Sequence, residues 1–237
     1  MSGDPILYLA STSPRRRQLL AEAGIAFALF PVPVDEDRLT EEYTGPLDRL
    51  GEYLARQKAA AAEQALLAAG KRGLVLAADT TVLLDGVSLS KPRDLEEGER
   101  MLRALRGREH VVATGVALAR PDAGQLISGT ASTRVVMRDY GDEEISSYVA
   151  TGDSLDKAGG YSIVHPDFAP VERIAGCHLG VVGLPVCMVA SLLSRGPLPG
   201  DATGQECAPG HCCPWSALCC PPLPVAANLT LPELRAE

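Results

Sequence analysis

The run LVLAADTTVLLDG (residues 74–86) constrains this chain more than any other stretch. Its Leu, Val and Ala content reads as strand, closed by a Gly-containing turn at Asp85-Gly86. Into the middle of that apolar run the sequence sets Asp79, Thr80 and Thr81. A carboxylate held among apolar neighbours loses its hydration, so it has to be compensated. Asp79 must be paired, bound to a metal, or placed at a strand end facing a cleft. The plainer alternative is a structural, hydrogen-bonded Asp.

The surrounding pattern alternates between strands and helices. PILYLA (5–10) reads as a strand. Ser13 then fits a helix N-cap, Pro14 the first helical position and Gly24 the stop. FALFPVPVDEDRL (27–39) reads as extended and ends in acid. Residues 46–69 place Leu47, Leu50, Leu54, Ala61 and Ala65 at helical spacing, with Gly70 after them. DLEEGERMLRALRG (94–107) reads as a capped helix. EHVVATGVALAR (109–120) and QLISGTASTRVVM (125–137) read as two strands joined by PDAG. YGDEEISSYVATG (140–152) reads as a short helix and GLPVCMVASLLSRG (183–196) as the last one. Hairpins together with crossovers predict an α/β domain built on a mixed sheet.

Composition sets limits on that domain. Hydrophobic residues make up 46% of the chain but aromatic residues only 4%, so the core is expected to be Leu, Val and Ala. The formal net charge of -8 argues against general nucleic-acid or anionic-membrane binding, which needs a basic surface. No apolar run reaches membrane-spanning length, because LGVVGLPVCMVASLL is interrupted by Pro185. MSGDPILYLA lacks the basic start and long apolar stretch of a signal peptide. The expected compartment is therefore the cytoplasm, where structural disulfides are rare. Cys207, Cys212, Cys213, Cys219 and Cys220 crowd a Pro- and Gly-rich tail, so the chain divides into a main domain, 1–196, and a tail, 197–237. The tail's cysteine spacing is not a standard zinc pattern, so a metal site there is the lesser alternative to an extension whose composition does not favour a packed fold.

LASTSPRRRQLL (9–20) places a run of arginines behind a Ser-Pro. Those arginines are a solvated face, a grip on DNA, or a grip on a small anion. A strand-to-helix turn presents free N–H groups and the positive end of a helix dipole, which together favour an anion. Ser11, Thr12 and Ser13 add hydroxyls, and Arg15 and Arg16 add forked donors. The DNA reading is weaker, since minor-groove arms of this kind come repeated or on basic proteins.

Other charged residues are ambiguous one at a time. Asp35, Glu36 and Asp37 form an acidic cluster, and most such clusters are simply solvated. Lys58 is the sole Lys of its Ala-rich helix, and Lys91 precedes Pro92. SLDKAGGYSI (154–163) carries Asp156, Lys157 and paired glycines, which suit a tight loop beside a ligand or an ordinary turn. Taken together, an anion cradle, separated acids and lysines are what phosphoanhydride hydrolysis requires. Mg²⁺ needs carboxylates, cations neutralise phosphate charge, and a carboxylate activates or orients water.

LASTSPRRRQLL, VDEDR, LARQKA, AADTTV, LSKPRD, HVVATGVAL, DKAGGYSI and VVGLP occur in an order that resembles the Maf family of nucleoside triphosphate pyrophosphatases, over roughly residues 5–195. The resemblance implies an α/β fold with an elongated mixed sheet, flanking helices and a central cleft, similar to the inosine triphosphate pyrophosphatases. It implies release of pyrophosphate from a nucleoside triphosphate with a divalent metal, Mg²⁺ or Mn²⁺, and a homodimer. Carried over by motif, Ser11, Ser13, Pro14, Arg15 and Arg16 are phosphate and substrate contacts, as are Lys58 and Lys91 with its Pro92. Glu36 is the cleft acid and a metal ligand with Asp79, which is also the general base. The residues ADT and DKAG look like the branch acting on dTTP and UTP, with Arg15 and Thr80 setting specificity. That branch usually carries a Gln where this chain has Val164, which puts base specificity in question. A nucleotide-binding regulator of cell division is the alternative reading. The intact set Arg15, Glu36, Asp79 and Lys91 favours the enzyme, because binding alone needs no water-activating Asp.

Overall fold

The computed structural model describes residues 7–194. The Cys-rich tail and the first residues of PILYLA lie outside the described residues. Among the described residues there are seven strands: β1 (Leu7–Leu9), β2 (Ala28–Leu29), β3 (Leu74–Leu84), β4 (Val87–Leu89), β5 (Glu109–Arg120), β6 (Gln125–Met137) and β7 (Val171–Ala175). The helices are α1 (Pro14–Glu22), α2 (Glu36–Glu42), α3 (Leu50–Ala68), α4 (Leu95–Leu105), α5 (Asp142–Ala150), α6 (His178–Val182) and α7 (Val186–Ser194). The strands form one mixed sheet in the order β2-β1-β3-β5-β6-β7, with β4 beside β3. β1 runs parallel to both β2 and β3, and the remaining pairs are antiparallel.

The period of two along β3 assigns its residues to different layers. Val75 and Ala77 face α3, where they meet Ala55, Ala59, Ala62 and Leu66. Leu74, Leu76 and Ala78 face the other way, onto Leu19, Leu20, Leu184, Val189 and Leu192. Val82 and Leu84 share that second face but join a separate cluster with Leu102, Leu105, Ile145 and Tyr148. Thr80 therefore sits at the seam between two apolar clusters. Asp79 sits on the opposite face, toward α3.

The sheet also has a gap at this level. β1 pairs only with Leu74–Leu76 of β3, and β4 only with Val82–Leu84. Between them, residues 77–81 of β3 have β5 on one side and, among the described residues, no strand on the other. The chain leaves β1 after Ala10, whose N–H donates to Leu76 O at 2.8 Å, and turns into α1.

α3 lies unusually close to the sheet. A Cβ added to Gly115 of β5 would fall 2.1 Å from Glu52 N, and one on Gly51 would fall 3.0 Å from Asp79 O. Facing glycines let the helix backbone touch the strands directly. The alanines that follow keep that spacing along the helix.

The sequence expectations need three corrections. FALFPVPVDEDRL is extended only to its middle, because Asp35 Oδ1 accepts from Arg38 N at 3.0 Å and caps α2. That cap turns the acidic cluster into the first turn of a helix, where negative charge complements the dipole. β7 and α6 had no counterpart in the expected elements, both being only five residues long. The core is also not purely aliphatic. Tyr140, Tyr148 and Phe168 pack together, with Tyr148 and Phe168 stacked at 4.5 Å between centroids. Tyr161 belongs to the same cluster, while Tyr8 with Phe30 and Tyr43 with Tyr53 form separate pairs.

Gly115→Ala should be costly, because the added methyl meets backbone and not a flexible side chain. Overpacking of this kind destabilises by about 1–3 kcal/mol or more. The expected result is a lowered urea midpoint. An unchanged midpoint would mean that α3 can step away from the sheet freely.

Candidate active site

One cavity of about 870 Å³ opens over the gap in the sheet. Ser11, Ser13, Arg15, Arg16, Glu36, Lys58, Asp79, Thr80, Lys91 and Val164 all line it. Residues separated by most of the chain thus meet at one place. Its walls come from the β1–α1 turn, α2, α3, the bare edge of β3, the loop after β4, and the segment 156–164.

The turn into α1 is built as the sequence indicates. Ser13 caps the helix, accepting from Arg16 N at 3.5 Å, and Pro14 opens it. Ser13 N in turn donates to Ser11 Oγ at 3.2 Å. No acidic residue stands in the first turn of α1 to offset its dipole or its arginines.

The two arginines have different surroundings. Arg16 is held inside, its Nε donating to Gly183 O at 2.9 Å, Nη1 to Ser11 Oγ at 3.4 Å and Nη2 to Thr80 Oγ1 at 3.3 Å. Burial pushes its pKa down, while the charges of Asp79 and Glu36 pull it back up. Arg15 is more open and reaches across to Asp156, with Nη1 3.2 Å from Oδ2 and Nη2 3.4 Å from the backbone oxygen.

Asp79 is compensated by a lysine. Lys58 Nζ lies 2.6 Å from Asp79 Oδ1 and 2.9 Å from Glu36 Oε1. Asp79 is not at a strand end, as one reading of its run allowed. It lies inside β3, where the gap in the sheet exposes the edge. The period of two sends Asp79 and Thr80 to opposite faces, yet both reach the cavity because it wraps around that bare edge.

The far wall rests on a second charge cluster. Lys157 Nζ is buried and donates to Asp153 O at 2.6 Å, Asp153 Oδ1 at 2.7 Å and Asp156 Oδ1 at 2.6 Å. Partial burial opposes ionisation of Asp156, but the hydrogen bond from Lys157 and the charges of Arg15 and Lys157 win and hold its pKa below the usual range. Gly159 and Gly160, at φ of 73° and 72°, fold this loop back against the sheet. A Cβ on Gly159 would press on Val82 at 3.0 Å. Val164 ends the loop with its side chain exposed, and its N–H donates to Ser162 Oγ at 3.3 Å.

Glu36 and Asp79 also bear on metal binding. Among the described residues no cluster of three or more His, Cys, Asp or Glu is arranged around a point. Glu36 Oε1 and Asp79 Oδ1 both face Lys58 Nζ, and the second oxygen of each carboxylate suits a divalent cation that takes its other ligands from phosphates and water.

Residues not singled out from the sequence also shape the site. Thr114 Oγ1 lies 3.0 Å from Thr80 Oγ1, and Gly183 receives Arg16. His110 Nε2 is 2.7 Å from the hydroxyl of Tyr161, a cavity residue. A lone Thr or His in a strand carries no local signal of such a contact, because its partner is distant in sequence.

The family described as Maf-like protein matches residues 6–196. The chain is 44% identical over 211 residues to a dTTP/UTP pyrophosphatase of Thermomicrobium roseum, covering 88% of this chain and 93% of the relative. It is 44% identical over 201 residues to a dTTP/UTP pyrophosphatase of Anaeromyxobacter dehalogenans, covering 83% and 98%. A dTTP/UTP pyrophosphatase of Escherichia coli O157:H7 is 40% identical over 189 residues, covering 80% and 92%.

His110 gives the wall behind Tyr161 an acid limit. Burial lowers its pKa from 6.5 to about 4. The unfolded chain then binds the proton first as pH falls. The stability contribution is complete above about 6.5 and is lost between about 6.5 and 4, by up to about 1.4 kcal/mol per pH unit. His110→Gln, which keeps a partner for Tyr161 but does not titrate, should flatten the fall of Tm across that window. A variant with the parent's acid slope would show that other groups set it.

Proposed function

The chain belongs to the Maf family, and from that membership we propose that it hydrolyses dTTP and UTP to the monophosphate and pyrophosphate, in cleansing of the nucleotide pool. One observation carries this reading. Arg15, Arg16, Lys58 and Lys91 converge with Glu36 and Asp79 on one cavity, so cations for a polyphosphate and a carboxylate for water share a site. No membrane-crossing helix is present among the described residues.

The triphosphate is assigned to the β1–α1 turn. There the hydroxyls of Ser11 and Ser13, the dipole of α1 and the Arg15 guanidinium can take up its oxygens. Arg15 exchanges Asp156 for a phosphate, a swap of one anion for another on a half-open side chain. Arg16 stays in place, since its partners are fixed protein groups, and supplies standing positive charge that needs no reorganisation. Lys91, exposed at the cavity rim, covers the phosphates from the opposite wall.

Asp79 serves as the general base, taking the proton of the water that attacks phosphorus. Its carboxylate is oriented by Lys58 before substrate arrives, so that only the water has to be positioned. Lys58 and the arginines offset charge as it moves to the departing pyrophosphate. Glu36 and Asp79 would hold the divalent cation, Mg²⁺ or Mn²⁺, which would neutralise phosphate charge. Thr80 and Arg15 contribute to base selection. Val164 stands where the relevant branch has a Gln and offers only shape and apolar contact.

Pyrophosphate release from a panel of nucleoside triphosphates, with Mg²⁺ or Mn²⁺, tests the reading directly. dTTP and UTP should lead. Asp79→Asn should fold normally yet lose at least about a hundredfold in kcat, the usual scale of general-base loss. Parent-like turnover in the folded variant would remove Asp79 from that role.

Val164→Gln restores a group that both donates and accepts. It should raise the preference for dTTP and UTP over other bases by about tenfold, the scale of one polar contact. An unchanged ranking of bases would place Val164 outside base recognition.

A further inference from the structure

Thr114 is fully buried, at 0% exposure, and lies behind the cavity wall. It pairs across the sheet with Thr80, which does face the cavity. The proton positions in this pair follow from their partners. A carbonyl oxygen only accepts, so Thr114 gives its hydroxyl proton to Gly180 O at 2.7 Å. The proton in the 3.0 Å contact between the two hydroxyls is then Thr80's. Arg16 Nη2 donates to Thr80 Oγ1 at 3.3 Å and occupies one lone pair. Thr80 is left with one lone pair for the cavity and no proton.

Building on the activity proposed above, we infer that Thr114 is a positioning residue that makes Thr80 an obligate acceptor, and that this polarity selects a base presenting N–H. Phosphate oxygens are acceptors themselves, so Thr80 in this state has nothing to offer them. Uracil and thymine present a donor at ring position N3. Cytosine presents a lone pair at the same position and meets Thr80 acceptor to acceptor. Thr80 can turn its proton toward cytosine only by abandoning Thr114, whose buried oxygen then loses its donor. The selection thus originates one residue behind the pocket surface. The ribose and triphosphate are common to UTP and CTP, so the ratio of the two substrates isolates the effect at the base.

The test compares kcat/KM for UTP and CTP in the full chain and in Thr114→Val and Thr114→Ser. The Val side chain matches Thr in shape but frees the Thr80 proton to rotate. It should lower the UTP:CTP ratio by about three- to tenfold, through a gain on CTP, the scale of one neutral hydrogen bond. The Ser variant keeps the hydroxyl and should keep the parent ratio. A purely structural role would instead lower both substrates together and shift the unfolding midpoint, with the ratio unmoved, and that result overturns the inference. If the Val variant does not fold, Thr114→Ala carries the same readout. A parent that hydrolyses UTP without discriminating against CTP also overturns it, while leaving the proposed activity standing. A parent that releases pyrophosphate from no nucleoside triphosphate removes both.

Discussion

A sheet with a hole in it must satisfy the backbone and side chains around the hole by other means. In this protein the hole lies along residues 77–81 of β3, between the end of β1 and the start of β4. An exposed strand edge is ordinarily a liability, because its N–H and C=O groups invite pairing with another chain. Here charged and hydroxyl side chains surround it, supplied by the turn after β1, by α3 and by the 156–164 loop. The cavity follows from that arrangement. It reaches both faces of β3 at once, which is why two adjacent residues, Asp79 and Thr80, line the same space from opposite sides.

Charge compensation then determines what occupies the cavity walls. Asp79 is paired with Lys58, Lys58 is shared with Glu36, and Arg15 and Lys157 are joined through Asp156. Each pair holds a charge that would otherwise be stranded in partly desolvated surroundings. Arg16 is different, since its direct partners are neutral oxygens of Ser11, Thr80 and Gly183. Its positive charge is offset only at longer range, by Asp79 and Glu36. A site built this way keeps a guanidinium beside Thr80 at the cavity wall.

Much of this was legible in the sequence, for local reasons. Ser13-Pro14 states the start of α1 through capping chemistry, and Asp94 does the same for α4, accepting from Glu97 N at 2.7 Å. Asp79 is conspicuous because a carboxylate in an apolar run demands a partner. The identity of that partner was less visible, since Lys58 meets Asp79 only when α3 crosses β3 at the right height. α2 was hidden because its residues are polar apart from Leu39 and its cap, Asp35, reads as one acid among several. Thr114 was hidden because Thr is an ordinary strand residue, and its meaning depends on Gly180, far along the chain.

The height at which α3 crosses is itself set by side chains that are missing. Gly51 and Gly115 remove the Cβ atoms that would hold helix and sheet at their usual separation, and Ala55, Ala59 and Ala62 continue the close contact. Lys58 projects from the same helix at a level where its amine reaches 2.6 Å from Asp79. A helix standing farther from the sheet would leave that amine short of the carboxylate, and the bare edge of β3 would carry an unpaired charge. The glycine contact and the ion pair are therefore one feature seen at two positions of the same helix. The first fixes the distance between α3 and the sheet, and the second depends on it.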